Sequence, residues 1–427
     1  MQTASRVSRR RLLGGGVAAV VASPLLGCAS GREGPTIGRV VVVGGGYGGA
    51  TAARYLRLWG GAIDVALVER DPSFVSCPMS NLILAGLAQI GDITRPYSGL
   101  EAIGVRRVQG DAVAIDAQRK EVRLSDGRSL PYDRAIVSPG VDIDAVEGLG
   151  SAAAQQQVPH AWKAGPQTLA LRAQLEAMPD GGVYAITIPP APYRCPPGPY
   201  ERACLVAHYF KQAKPKSKVL VLDANPEIQS KKVLFERAFT ELYRGIIEYR
   251  PNNELRQVDA ATRTAKMDFD DIKVEVLNVL PPQRAAAIAR QAGLVNINNR
   301  WVGVDWQTME STAVPGIHVL GDATFSAPLM PKSGHIANQH AKVAAAAIIQ
   351  RLKGEPVEAA PMMVNCCYSF VSASEAIHVA SVHRYDAGEK TMKLVNGAGG
   401  LSSSANAAEA RIAQAWTQNI WADTLAI

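Results

Sequence analysis

Residues 39–49 read RVVVVGGGYGG, and this stretch decides the fold. Four consecutive valines suit a strand buried on both faces of a parallel sheet. The glycines that follow contain the GxGxxG spacing as Gly44, Gly46 and Gly49. Residues 50–58 read as a helix, and residues 64–68 as a second apolar strand ending at Glu69, twenty residues after Gly49. In such a βαβ unit the glycines let the backbone turn tightly and approach a pyrophosphate at the helix N-terminus. An acid at the end of the second strand accepts hydrogen bonds from a ribose. Strand, glycines, helix, strand and acid stand in register, so the unit is predicted to bind a dinucleotide.

Two later segments choose the dinucleotide. Residues 132–140, YDRAIVSPG, form a strand ending in a tight turn at Gly140. Residues 314–323, VPGIHVLGDA, end in a Gly-Asp pair that suits hydroxyls and phosphate. Both resemble motifs of two-dinucleotide flavoprotein reductases, and the resemblance assigns the ribityl chain of FAD to Asp322. A second nucleotide fold is expected near the middle of the chain, after a strand at residues 183–188. There the loop reads PPAPYRCPPG (residues 189–198). Prolines lack N–H groups and the freedom of glycine, so this loop is a poor cradle for pyrophosphate. The reading is an α/β chain of two Rossmann-like dinucleotide-binding folds, glutathione-reductase-like, with a C-terminal α+β interface domain. The FAD-binding domain would take residues 38–150 and 290–353, the second fold without an NAD site residues 151–289, and the interface domain residues 354–427.

Composition narrows the rest. A length of 427 residues exceeds one ordinary core. Charged residues make up 19%, too few and too interspersed with apolar ones for a disordered chain. Residues 1–30 carry four arginines and no acid, so of the +7 net charge +3 belongs to the remainder. No dense basic stretch follows, which argues against a nucleic-acid partner. Ser8-Arg9-Arg10-Arg11-Leu12-Leu13 and a short Gly-rich apolar run read as a twin-arginine export signal, implying a periplasmic location. Residues 25–28, LLGC, also fit a lipoprotein cleavage box, which would make Cys28 a lipid tether; the alternative is a chance cysteine beside an ordinary cleavage site. Six cysteines are too few for a disulfide scaffold. No metal-ligand pattern is present, and the seven scattered histidines read as satisfied polar or surface residues.

The loop cysteine, Cys195, is stiffened by prolines and followed by Glu201, an arrangement suited to redox or nucleophilic work. Cys204 falls in the following apolar helix and reads as core. With residues 74–81 (FVSCPMSN), 331–334 (PKSG) and 365–369 (NCCYS), the chain resembles the flavoprotein subunit of flavocytochrome c sulfide dehydrogenases from about Gly38 onward. The resemblance implies FAD linked by a thioether to Cys77, a redox pair of Cys195 and Cys367, acid/base work by Glu201, and Lys332 beside the flavin ring. A free thiol at Cys77 is the alternative to the thioether. Cys366 departs from the single cysteine of the family and leaves the partner of Cys195 open. The implied reaction is oxidation of sulfide to sulfur or polysulfide, with electrons passed to a c-type cytochrome subunit or soluble cytochrome c. No CxxCH occurs, so haem c would sit only on that partner. The second reading is a sulfide:quinone oxidoreductase. Ile412, Trp416 and Ile420 form an apolar stripe on a final helix, residues 407–425, for core, interface or membrane contact.

Overall fold

Val40, Val41, Val42 and Val43 are buried because their strand lies at the centre of a sheet covered by helices. In the computed structural model, which describes residues 36–427, the strand Gly38–Val43 pairs in parallel with Ile63–Glu69 on one side and Arg134–Val137 on the other. Arg106–Gln109 extends one edge and Ile317–Val319 the other, with two short antiparallel strands beyond. The chain thus leaves its first strand toward one side and later returns on the other. That reversal opens a crevice at the strand C-termini beside Gly44. The expected export signal and Cys28 lie outside the described residues.

The helix Tyr47–Gly60 packs along the helix Gly334–Lys353. Ala50, Ala52 and Ala53 on the former and Ala341, Ala344 and Ala345 on the latter are buried, and such small side chains admit close approach. A second parallel sheet has the order Ile247–Arg250, Lys218–Asp223, Val183–Ile188, Val276–Val279. The helix Gly198–Ala213 packs against it and buries Cys204.

The C-terminal part of the chain is an antiparallel sheet of Met362–Phe370, Ala376–Asp386 and Thr391–Leu401, followed by the helix Ala407–Leu425. The Asn406 side chain caps that helix by accepting the Glu409 N–H at 2.9 Å. Its apolar stripe is divided: Ile420 and Trp421 join the core of the first fold, while Ile412 is half exposed. No described helix is long and apolar enough to cross a membrane. Asp423 ties the helix end to the first fold. It accepts from Tyr55 Oη (2.5 Å), Asn338 Nδ2 (2.8 Å) and Lys342 Nζ (2.9 Å). Burial would raise this carboxyl, but those three bonds hold it below the usual range.

Two outcomes are expected. An added Cβ at Gly49 would sit 1.8 Å from the Gly44 carbonyl oxygen. Gly49→Ala should therefore destabilise the chain by about 1–3 kcal/mol, read from denaturant unfolding. Asp423→Ala should speed amide hydrogen exchange in residues 407–425 while leaving the central strand protected.

Candidate active site

The turn after the first strand is built for backbone approach. Gly44 has φ +96°, and an added Cβ there would lie 2.3 Å from the Ser138 carbonyl oxygen. Beside Gly46 nothing lies within 4 Å of where a Cβ would be, so the helix N-terminus faces open space. Glu69 closes the floor: its carboxylate accepts the N–H groups of Gly45 (2.6 Å) and Asp71 (2.9 Å). Gly140 follows the neighbouring strand in the left-handed region, φ +68°. Asp322 opens a helical turn, and its Oδ1 is buried with no hydrogen-bond partner. An open glycine turn and an orphaned carboxylate oxygen, at the ends of two strands that flank Arg134–Val137, fit FAD. Gly44, Gly46, Gly49, Glu69, Gly140 and Asp322 are the residues that would hold it.

A cluster of sulfur and charge is formed by chain segments far apart in sequence. Cys195 has a left-handed backbone, φ +54°, and its N–H donates to the Lys332 carbonyl at 2.8 Å. Cys367 lies on the strand Met362–Phe370, where alternation puts Asn365, Cys367 and Ser369 on one face. On that face Ser333 Oγ donates to Asn365 Oδ1 (2.7 Å), the Cys367 thiol donates to the same oxygen (3.4 Å), and Lys231 Nζ donates to Ser369 Oγ (2.8 Å). Cys366 and Tyr368 face the other way, where Tyr368 stacks with His378 and Trp416. Cys195 and Cys367 thus face each other's charge, and Cys366 stands aside. Cys195 keeps accessible surface, yet protein groups crowd its sulfur. Burial, with Cys367 and Glu201 nearby, pushes its thiol up to about 12. All five described cysteines are thiols.

Glu201 sits in the first turn of the helix Gly198–Ala213. Asn81 Nδ2 (2.9 Å) and the Phe370 N–H (2.8 Å) donate to its two oxygens. Burial nevertheless raises its pKa above the carboxylate norm, a direction suited to proton transfer. Cys77 accepts a hydrogen bond from the Arg194 guanidinium at 3.1 Å, so the two cysteine segments touch through the residue before Cys195. The Lys332 ammonium stacks on Trp301 at 3.8 Å and donates to the carbonyls of Asp322 (3.0 Å) and Thr324. Its side chain secures the Asp322 turn, and its main chain receives Cys195. The sequence assigns no role to Lys231 and Arg194, and Asn81 stands there only as part of the FVSCPMSN segment. Its bond to Glu201 comes only through the fold.

In the second sheet the acid that could reach a nucleotide is already satisfied by protein groups. Asp223 ends its second strand, the position from which a Rossmann acid reaches a ribose. Its carboxylate instead accepts from Tyr200 Oη (2.7 Å), Tyr249 Oη (3.1 Å), and the N–H and Nδ2 of Asn225 (2.9 and 2.7 Å). Asn225 in turn binds the proline loop, accepting the Ala191 N–H and donating to the Pro189 carbonyl, both at 3.0 Å. Removing one hydroxyl would leave a buried carboxylate short of a donor. Tyr200→Phe should cost about 1–3 kcal/mol in unfolding free energy.

Four imidazoles around these segments are held neutral, in each case chiefly by burial. His160, His318 and His335 are lowered to about 4 and His340 to about 3. Unfolding restores an ordinary pKa near 6.5. The unfolded chain therefore binds more protons, and stability falls as pH drops from about 6.5 toward 4. Each group should contribute a slope of about 1.4 kcal/mol per pH unit in that window, measurable by denaturant titration at a series of pH values.

Comparisons with known proteins agree with this architecture. Residues 38–165 match the pyridine nucleotide-disulphide oxidoreductase family. Residues 168–281 match the central domain of the sulfide dehydrogenase [flavocytochrome c] flavoprotein chain, and residues 359–425 match the flavocytochrome c sulphide dehydrogenase flavin-binding domain. The chain is 58% identical over 45 residues to the sulfide dehydrogenase [flavocytochrome c] flavoprotein chain of Chlorobaculum thiosulfatiphilum, covering 10% of this chain and 94% of that one. It is 24% identical over 307 residues to the mitochondrial sulfide:quinone oxidoreductase of Mus musculus, covering 67% of this chain and 65% of the mouse protein. The sulfide:quinone oxidoreductase of Aquifex aeolicus has the same fold, with a TM-score of 0.72, 18% identity, and coverage of 90% and 91% of the two chains. The glycine cradle, the matching central domain and the matching C-terminal flavin-binding domain place this chain in the flavocytochrome c sulfide dehydrogenase flavoprotein family, among the two-dinucleotide-fold flavoproteins related to sulfide:quinone oxidoreductases.

Proposed function

We propose that the chain oxidises sulfide to sulfur or polysulfide at Cys195 and Cys367 and passes the electrons through FAD to a c-type cytochrome subunit. The observation that carries this reading is the meeting of Cys195 and Glu201, on one loop-and-helix segment, with Cys367 on a distant strand, beside the dinucleotide cradle. The charge of the site supports it. Arg194, Arg202 and Lys231 are cations around the cysteines, against the carboxylates of Glu201 and, beside Arg194, Asp322. Such surroundings suit hydrosulfide, which carries one negative charge.

In the oxidised enzyme Cys195 and Cys367 form a disulfide. Hydrosulfide attacks one sulfur; the S–S bond breaks, a persulfide forms on that cysteine, and the bonding pair leaves with the other as a thiolate. Glu201 takes or returns the proton of the incoming sulfur. Bound FAD supplies a two-electron acceptor that can release electrons singly. Cys77 would hold it through a thioether, and Arg194, which donates to that sulfur at 3.1 Å, would orient it. The hydrogen bond from Cys195 to Lys332 fixes the redox loop against the Asp322 turn. A second sulfide, or another thiol, removes the sulfane sulfur. The twin-arginine pattern of residues 8–13 supports a periplasmic enzyme, with Cys28 as a lipid tether.

Likeness to the mouse and Aquifex proteins favours quinone as the second candidate acceptor. Anaerobic sulfide titration, followed by flavin absorbance with cytochrome c in one sample and a soluble quinone in another, decides between them. Cytochrome reduction is expected; quinone reduction alone would overturn this reading. Cys195→Ser should abolish flavin bleaching by sulfide while flavin stays bound, and full bleaching would exclude the disulfide route. Absorbance that remains with acid-precipitated protein would report the thioether at Cys77.

A further inference from the structure

Lys231 is a buried cation that the chemistry above uses only as part of the general positive charge around the cysteines. It is 4% exposed, and its backbone is left-handed, with φ +55° and ψ +37° at the start of the helix Lys232–Arg237. A side chain other than glycine is strained there, and such strain persists only where surrounding structure holds it. Its ammonium donates to Ser369 Oγ at 2.8 Å, a neutral and fully buried partner on the same strand face as Cys367. Glu201, the nearby carboxylate, has both oxygens engaged by Asn81 and the Phe370 N–H. The groups whose charge acts on Lys231 are Cys367 first, then Glu201, Cys195 and Cys366. A buried ammonium beside a neutral hydroxyl has a poorly compensated charge, and a sulfur anion in this cluster would compensate it.

We propose that Lys231 is a positioning residue for the anionic state of Cys367: its ammonium, anchored on Ser369, stabilises the thiolate at Cys367 once the cysteine pair is reduced or opened. Other groups bear on the same sulfur. Glu201 opposes the thiolate, Cys195 and Cys366 oppose it when ionised, and the Asn365 and Ser333 side chains favour it. Burial of Cys367 pushes its thiol up, and Lys231 is the strongest opposing influence. The consequence in turnover is that Cys367 becomes a better leaving group when the disulfide opens. That consequence rests on the proposed sulfide chemistry; the effect on the thiolate does not.

The test is alkylation of the anaerobically reduced, flavin-loaded protein with iodoacetamide from pH 6 to 10, with Cys367 followed by peptide mapping. In this reaction the thiolate displaces iodide, so the rate reads the anionic fraction. Lys231→Met should move the Cys367 profile up by about one pH unit or more, which is about tenfold slower alkylation near neutral pH. Lys231→Arg should restore most of the wild-type profile, which a purely structural role would not require. Should Lys231→Met not fold, Lys231→Gln keeps a donor for Ser369 without the charge and should show the same shift. Superimposable profiles for the wild type and the neutral variant would overturn the proposal. A shifted profile in a protein whose flavin does not respond to sulfide would uphold the role of Lys231 and remove the sulfide reading alone.

Discussion

The hydrogen bond from the Cys195 N–H to the Lys332 carbonyl, 2.8 Å long, is the joint on which the site depends. It fastens a loop of the second sheet to the segment leading into the helix Gly334–Lys353 of the first fold. Ser333, the next residue, caps that helix through the Ile336 N–H at 3.0 Å and also donates to Asn365 on the Cys367 strand. Three stretches of chain therefore meet within two consecutive residues. The left-handed backbone at Cys195 is what lets the loop present its N–H there, and the prolines on either side limit the alternatives open to the chain.

The second sheet shows how a nucleotide fold becomes a scaffold. Asp223 keeps its place at the end of a parallel strand, but Tyr200, Tyr249 and Asn225 satisfy it from within. Tyr200 and Glu201 are neighbours in the helix Gly198–Ala213, so the network that fills the old site also fixes the helix carrying the acid of the new one. Asn225 holds the loop that carries Cys195. The contacts that satisfy Asp223 thus also support the helix and the loop of the cysteine cluster.

Electrostatics give the cluster its direction. Arg202 is 2% exposed and is satisfied by Asn81, Asn278 and the carbonyls of His160 and Ala161, all neutral acceptors. Lys231 is likewise paired with a hydroxyl. Buried cations held by neutral groups leave positive potential in a region of low dielectric, where it acts on sulfur more strongly than it would in water.

The sequence by itself determined the first fold. Residues 39–49, Glu69 and the Gly-Asp pair at 321–322 act through local backbone geometry, which a short motif encodes directly, and the strand Val183–Ile188 and the helix Ala407–Leu425 stand where apolar patterning puts them. Family resemblance added Cys77, Glu201 and the cysteine pair as expectations, and it left Cys366 and Cys367 unresolved. Tertiary structure decided what no spacing could. Strand alternation turns Cys367 inward and Cys366 outward. The final helix reaches the first core through Ile420, Trp421 and Asp423. Lys231 becomes a neighbour of Cys367, and Arg194 of Cys77, only when segments more than a hundred residues apart are packed together. Local conformation is written in neighbouring residues, but the field at a buried sulfur is a sum over distant ones, and only the folded chain fixes their distances.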